Sequence, residues 1–167
     1  MNYKKYYNLE NYLFQEVGSR FRHAGTLSVE DFFCIVIWKA NRAKTKIKKK
    51  LSKNTTLAKS VKNIANDLFQ TRDASEKLNI LKGTWGFSLP MATAILTVLY
   101  PEEFTVYDYR VREQLGLRKI YGVKRYLKYF LPKVRDYAEI HSGGNLREAD
   151  KQLWGKSVYE SLLKLIR

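Results

Sequence analysis

The chain has 167 residues, 45% of them apolar or aromatic, with 31 Lys and Arg against 16 Asp and Glu, a net charge of +15. That is core enough for a single compact domain over 1–167, or for two small lobes sharing an interface. So large a positive excess points to nucleic acid before an anionic membrane surface, the plain alternative being a solvated basic surface. Cys34 is the only cysteine. This excludes an intrachain disulfide, a Cys-ligated iron–sulfur cluster and a Cys-rich zinc site.

With three prolines and apolar residues recurring at period 3.6, the chain is predicted to be all-α. A first helix is expected over about 5–22, with Tyr6, Leu9, Leu13, Val17 and Phe21 on one face. MNYKKYYNLENYLF holds no long apolar run of the secretory kind, and no apolar segment reaches membrane-span length. The expected setting is therefore soluble and cytoplasmic, with no membrane partner. Ser28, with Asp31 three residues on, caps a second helix that runs from about 29 into the lysines near 44. Cys34 falls in its apolar run DFFCIVIW, as a core thiol.

A third helix is expected over about 56–70, and a fourth from Asp73 or Ser75 to Gly83. The fifth covers about 89–99 and stops before Pro101. Asp108 opens a sixth, ended by Gly116. Two longer helices, about 123–140 and 146–166, are separated by HSGGN. FTVY (104–107) alone has strand character.

The cations are unevenly placed. Between Asp31 and Asp67 stand ten Lys or Arg and no acid, eight of them in KANRAKTKIKKKLSK (39–53). A second acid-free span, between Glu113 and Asp136, interleaves seven Lys or Arg with Tyr121, Tyr126, Tyr129 and Phe130. Such segments suit phosphate contacts, which give affinity without sequence preference. The lysine run reads equally well as a mobile solvated loop.

ILKGTWGFSLPMATAIL reads as two short helices joined by a tight turn, a hairpin over about 76–100. Gly83 can end the first helix in a left-handed conformation, and Gly86 lets backbone approach a partner closely. Ser88 can cap the second helix, with Pro90 in its first turn, where a missing N–H costs nothing. Unpaired amides at that helix start suit an anion such as phosphate. Asp108, in VYDYRV, is an ordinary N-cap by position. A capping geometry would also hold a catalytic carboxylate still.

This stretch resembles the helix-hairpin-helix superfamily of base-excision DNA glycosylases, whose hairpin is followed by a Gly/Pro-Asp loop. Gly86-Phe87-Ser88 stands where that family has glycine-hydrophobic-glycine, and Ala92 stands at its small residue. PEEFTVYDYRV (101–111) matches the loop and the next helix start, with Asp108 on the family's catalytic aspartate. The specific match covers 81–112. More loosely, Trp38-Lys39-Ala40-Asn41-Arg42 and Asp150-Lys151-Gln152-Leu153-Trp154 resemble elements of shorter members of that superfamily. Two departures stand out. Ser88 replaces the second hairpin glycine, and Pro90 occupies the place of the lysine that strand-cleaving members use as a Schiff-base nucleophile.

The resemblance implies an all-helical, glycosylase-like fold with a cleft between helical lobes. It also implies a DNA duplex partner with a flipped base, and a nucleoid-associated, DNA-repair role. Asp108 would stabilise the oxocarbenium-like sugar and position water for hydrolysis of the N-glycosidic bond. Trp38, Trp85, Tyr107 and Tyr109 are the expected base-pocket aromatics, although a tryptophan in an apolar run, as Trp38 is, reads first as core. Trp154 is read as core. DNA contacts are expected from Lys39, Asn41 and Arg42, from Gly83, Gly86, Phe87, Ser88, Leu89 and Met91, and from Arg110 and Arg112. Trp38 and Arg42 would share a helical face, and Arg110 would pair with Asp108 or a phosphate.

No cofactor is implied beyond a monovalent cation at the hairpin backbone. His23 and His141 have no metal-ligand spacing, and no P-loop, GxSxG or dinucleotide fingerprint is present. The rival reading is a non-catalytic helix-hairpin-helix nucleic-acid-binding module. A pocket beside Asp108 discriminates between them: an open concavity favours the enzyme, a collapsed aromatic-filled site the binding module.

Overall fold

The computed structural model describes residues 3–166. Among them the chain is all-helical, with no strand, and no helix is long and apolar enough to cross a membrane. The expected first helix is broken into α1 (Lys4–Tyr7) and α2 (Leu9–Tyr12), because the Asn8 side chain turns back to accept from the Asn11 amide at 3.3 Å. A π-helical turn, Leu13–Val17, leads from α2 into α3 (Gly18–Ala24).

Ser28 caps α4 (Val29–Ala40), accepting from the Asp31 amide at 3.0 Å. The expected run into the lysines stops at Ala40, whose backbone leaves helical geometry (φ −159°, ψ 83°). After a 3₁₀ turn, Asn41–Ala43, the lysine run forms its own helix, α5 (Lys44–Leu51). Ile47 and Leu51, one turn apart, are buried and anchor α5, while its lysines point to solvent. It is thus a docked helix, and no loop.

Next come α6 (Leu57–Gln70) and α7 (Ala74–Asn79), the latter capped by Asp73 and continued by a π-helical turn, Ile80–Thr84. Ser88 caps α8 (Leu89–Leu99), with Pro90 in its first turn. Then follow α9 (Tyr109–Gln114), the single turn α10 (Val123–Arg125), a π-helical turn Tyr126–Phe130, α11 (Leu131–His141) and α12 (Leu146–Ile166).

The hub is α8. All its residues except Pro90 are buried, the behaviour of a helix apolar on every side. It packs against α3, α4 and α7. Small residues permit this closeness: a side chain at Gly18 of α3 would collide with the Val98 carbonyl of α8. Each large aliphatic of α8 contributes roughly 1.5–3 kcal/mol through burial.

FTVY is buried without forming a strand, because side chains take the hydrogen bonds of the Thr105 and Tyr107 amides. The Tyr107 amide donates to Thr93 Oγ1 (2.9 Å), and Thr93 Oγ1 donates to the Leu89 carbonyl (2.9 Å). The Thr105 amide donates to the Tyr126 hydroxyl (3.2 Å), which in turn donates to the Thr105 carbonyl (2.6 Å). This segment delivers Asp108 to the start of α9.

Candidate active site

Asp108 caps α9: its Oδ1 accepts from the Arg110 amide at 2.9 Å. Its other oxygen meets the ammonium of Lys39, from α4, at 3.1 Å. Both side chains are mostly buried and line a pocket of about 550 Å³, within the usual size range of small-ligand sites. Trp38 and Trp154 supply its aromatic surface, and Glu10, Arg147, Asp150 and Lys151 supply further charge.

Local sequence sets each of these. Asn145 caps α12 through its side-chain oxygen, which accepts from the Arg147 and Glu148 amides at 3.0 Å each. The capped first turns carry Arg147, Asp150 and Lys151, and Trp154 one turn on. Arg147 is shared. Its guanidinium donates to Glu10 Oε2 (2.8 Å), pairs with Asp150, and lies 5.1 Å from the Trp38 ring and 5.5 Å from Phe14. Lys151 reaches Glu10 at 3.2 Å.

The electrostatic consequences differ between the carboxylates. Burial raises the Glu10 carboxyl, but Arg147 and Lys151 outweigh it and hold it below its usual value. Asp150 is 4% exposed, and there burial wins. Arg147 and Lys39 pull its pKa down, Asp108 pushes it up, and it settles at about 6. Among the described residues no group of three or more His, Cys, Asp or Glu stands together as metal ligands.

Of the expected base-pocket aromatics, Trp38 lines the Asp108 pocket. Tyr107 does not: it is core, its ring 5.0 Å from Phe130 and its hydroxyl accepting from the Ile120 amide at 2.8 Å. Trp85 packs against the core beside the turn after Thr84, away from the pocket lining. Tyr109 is exposed, 5.3 Å from the Arg110 guanidinium. Trp154, expected in the core, is 47% exposed and lines the pocket.

Among the expected DNA contacts, Lys39 lies inside the pocket as the partner of Asp108. Arg110 takes no such part; its guanidinium reaches the Ser157 and Ser161 hydroxyls at 3.4 Å. Arg112 pairs with its neighbour Glu113. Asn41 and Arg42 are exposed in the 3₁₀ turn, so the break at Ala40 removes the face that Trp38 and Arg42 were expected to share.

The turn before α8 also differs from expectation. Gly83 sits inside the π-helical turn without a left-handed φ; the left-handed residue is Gly86, at φ +60°. Ser88 and the two glycines are exposed, whereas Phe87, Leu89 and Met91 turn their side chains into the core. A second hollow of about 450 Å³ lies between this turn and α5, lined by Gly86, Ser88, Lys46 and Lys50. Lys50 donates to the Gly86 carbonyl at 2.6 Å. Lys39 borders both hollows.

Sequence reasoning left Glu10, Arg147, Asp150 and Lys151 without a site role. The signal for two of them was the D-x-x-L-W element, which the fold brings to the same pocket as W-K-x-x-R. No protein-family model, curated protein or solved structure matches this chain.

Proposed function

We propose that this is a DNA-binding, DNA glycosylase-like protein that hydrolyses the N-glycosidic bond of a modified or damaged base, with Asp108 as the key carboxylate. In this reading the helices form a helix-hairpin-helix glycosylase-like fold, and the Asp108 pocket is the cleft between its lobes. One observation carries the reading: Asp108, immobilised as a helix cap, opens on a pocket bordered by tryptophans. That pocket adjoins, through Lys39, a lysine-lined hollow at the α8 turn. An open pocket at this place supports the enzyme over the non-catalytic binding module.

The lysines of α5 and the exposed turn around Ser88 bind duplex phosphates without reading sequence. An extruded base stacks on the pocket tryptophans. As the bond to the base lengthens, positive charge develops on the sugar, and the fixed carboxylate of Asp108 lies beside it. The same group orients a water for attack. Lys39 holds the carboxylate in place from α4. Pro90 leaves the second hairpin helix without a nucleophile.

The test is base release from a panel of modified duplexes, read as alkali-labile sites. Asp108→Asn should lose roughly a thousandfold in release while duplex affinity stays nearly intact. A variant that excises as fast as the wild type ends the mechanism. Borohydride should trap no enzyme–DNA adduct. An adduct lost in Lys39→Ala would instead make the Lys39 amine the nucleophile.

A further inference from the structure

We infer that Asp150 is a second catalytic group of this pocket, the acid that delivers a proton to the departing base. This rests on the glycosidic reading above and adds to it a division of labour: Asp108 serves the sugar, Asp150 the base.

The placement comes first. Six ionisable side chains line the pocket, and that of Asp150 is the least exposed, 5% of the side chain against 17–44% for the others. Its surroundings come from several elements. Arg147 and Lys151 stand on its own helix, Lys39 projects from α4, Asp108 caps α9, and Glu10 comes from α2. The cations are largely engaged elsewhere. Lys39 meets Asp108, Lys151 meets Glu10 and Glu148, and Arg147 is divided between Glu10 and Asp150. A buried carboxyl with a fraction of one guanidinium, near a second carboxylate, retains its proton far more readily than an exposed one. Its pKa of about 6 puts that proton within reach of physiological pH. Two carboxyls in one pocket with different environments are the arrangement that divides acid from base roles.

The chemistry needs this acid. When the C1′–N bond breaks, the bonding pair leaves with the base. A neutral base then departs as an anion unless a proton arrives. The Asp150 carboxyl donates its proton to a ring nitrogen or exocyclic oxygen as the bond breaks, and becomes a carboxylate. Water adds to C1′ and gives its proton to Asp108. Solvent returns the proton to Asp150 and accepts the one on Asp108, so each group ends as it began.

A purely structural role, in which Asp150 clips Arg147 against Trp38, would affect every substrate alike. The experiment therefore compares two leaving groups. Hypoxanthine departs as an anion without help, whereas 7-methylguanine already carries positive charge and departs neutral. Wild type, Asp150→Asn and Asp150→Glu are assayed on duplexes bearing each base, from about pH 5 to pH 8. In the wild type, hypoxanthine release should fall about tenfold per pH unit above the Asp150 pKa. Asp150→Asn should lose roughly a hundredfold on hypoxanthine and flatten that limb, with only a severalfold loss on 7-methylguanine. Asp150→Glu, which keeps a carboxyl, should recover the limb even if Asp150→Asn folds poorly.

Equal losses on both duplexes, or an unchanged limb in Asp150→Asn, would overturn the assignment while leaving the glycosidic reading standing. A wild type that releases neither these bases nor any other on the wider panel sinks the glycosidic reading and this inference together, before any variant is compared.

Discussion

Two aspartates, Asp31 and Asp150, are almost equally hidden from solvent, 3% and 4% exposed. Each sits in the first turns of a helix and each has an arginine partner. Their environments nevertheless drive them apart. Asp31 accepts from the Tyr12 hydroxyl (2.6 Å), Arg20 (2.6 Å), and the Ser28 hydroxyl (2.8 Å). Burial alone would raise it, but these donors win and hold it below its usual value. Asp150 has Arg147 as its only direct partner among the described residues, shares it with Glu10, and is raised. Asp150 also lies deeper in the protein than Asp31, so depth of burial and the number and commitment of donors together decide what a buried carboxyl does. The first arrangement fixes α2 and α3 to α4. The second leaves a carboxyl with free capacity at a pocket wall.

The contrast can be broken by experiment, most severely at Asp31. Asp31→Ala should cost about 4 kcal/mol in urea unfolding at neutral pH, because it strands the Tyr12 hydroxyl and removes charge-assisted bonds. A loss under about 1 kcal/mol would show that the donors do not hold the helices together.

At Asp150 the expected effect is a pH dependence of opposite sign. The folded carboxyl keeps its proton up to about pH 6, whereas the unfolded chain releases it near 3.8. Between these values the folded state binds more protons, so the Asp150 contribution to stability falls as pH rises. Asp150→Asn escapes this fall and should gain roughly 3 kcal/mol relative to wild type across that window, read by denaturant melts at pH 4 and pH 7. Asp31 contributes the other way. Its stabilisation is present above the unfolded value of 3.8 and fades as pH drops through the lower folded value. A constant difference between wild type and Asp150→Asn would remove the distinction between the two sites.

The arginines give the smallest effect. Arg147→Lys keeps charge but loses the planar fork that spans Glu10, Asp150 and the Trp38 face, and should cost roughly 1–2 kcal/mol. Arg20 is 46% exposed on its side chain, so Arg20→Lys should cost less than about 1 kcal/mol. Equal costs in thermal melts would mean the pocket guanidinium is no more specialised than the surface one.

The sequence announced some of this plainly. Ser28, Ser88 and Asp108 were legible as caps because a short polar side chain before an apolar run has few other uses. The bounds of α8 followed from Ser88 and Pro101. Other features had no local signature. Nothing in WKANRAK marks the break at Ala40, which follows from docking Ile47 and Leu51. The left-handed turn fell at Gly86 because the π-helical turn absorbed Gly83 within the helix, with the Phe87 amide donating to the Leu81 carbonyl at 2.9 Å. FTVY has strand-forming residues, but its partners were a threonine and a tyrosine hydroxyl. The pocket was least legible, because residues 10, 38, 108 and 147–154 meet only in three dimensions. Asp150 and Trp154 stood out only as ends of the D-x-x-L-W element, which by itself assigned neither a place in a pocket.

The Thr93 hydroxyl, which accepts from the Tyr107 amide and donates to the Leu89 carbonyl, has a metrical consequence. It ties the segment carrying Asp108 to the first turns of the helix that Ser88 begins. The turn and the carboxylate are thus two marks on one ruler, with no loop between them to stretch. Whatever the turn grips, Asp108 is presented at a set span from it, and a ligand must match that span to use both.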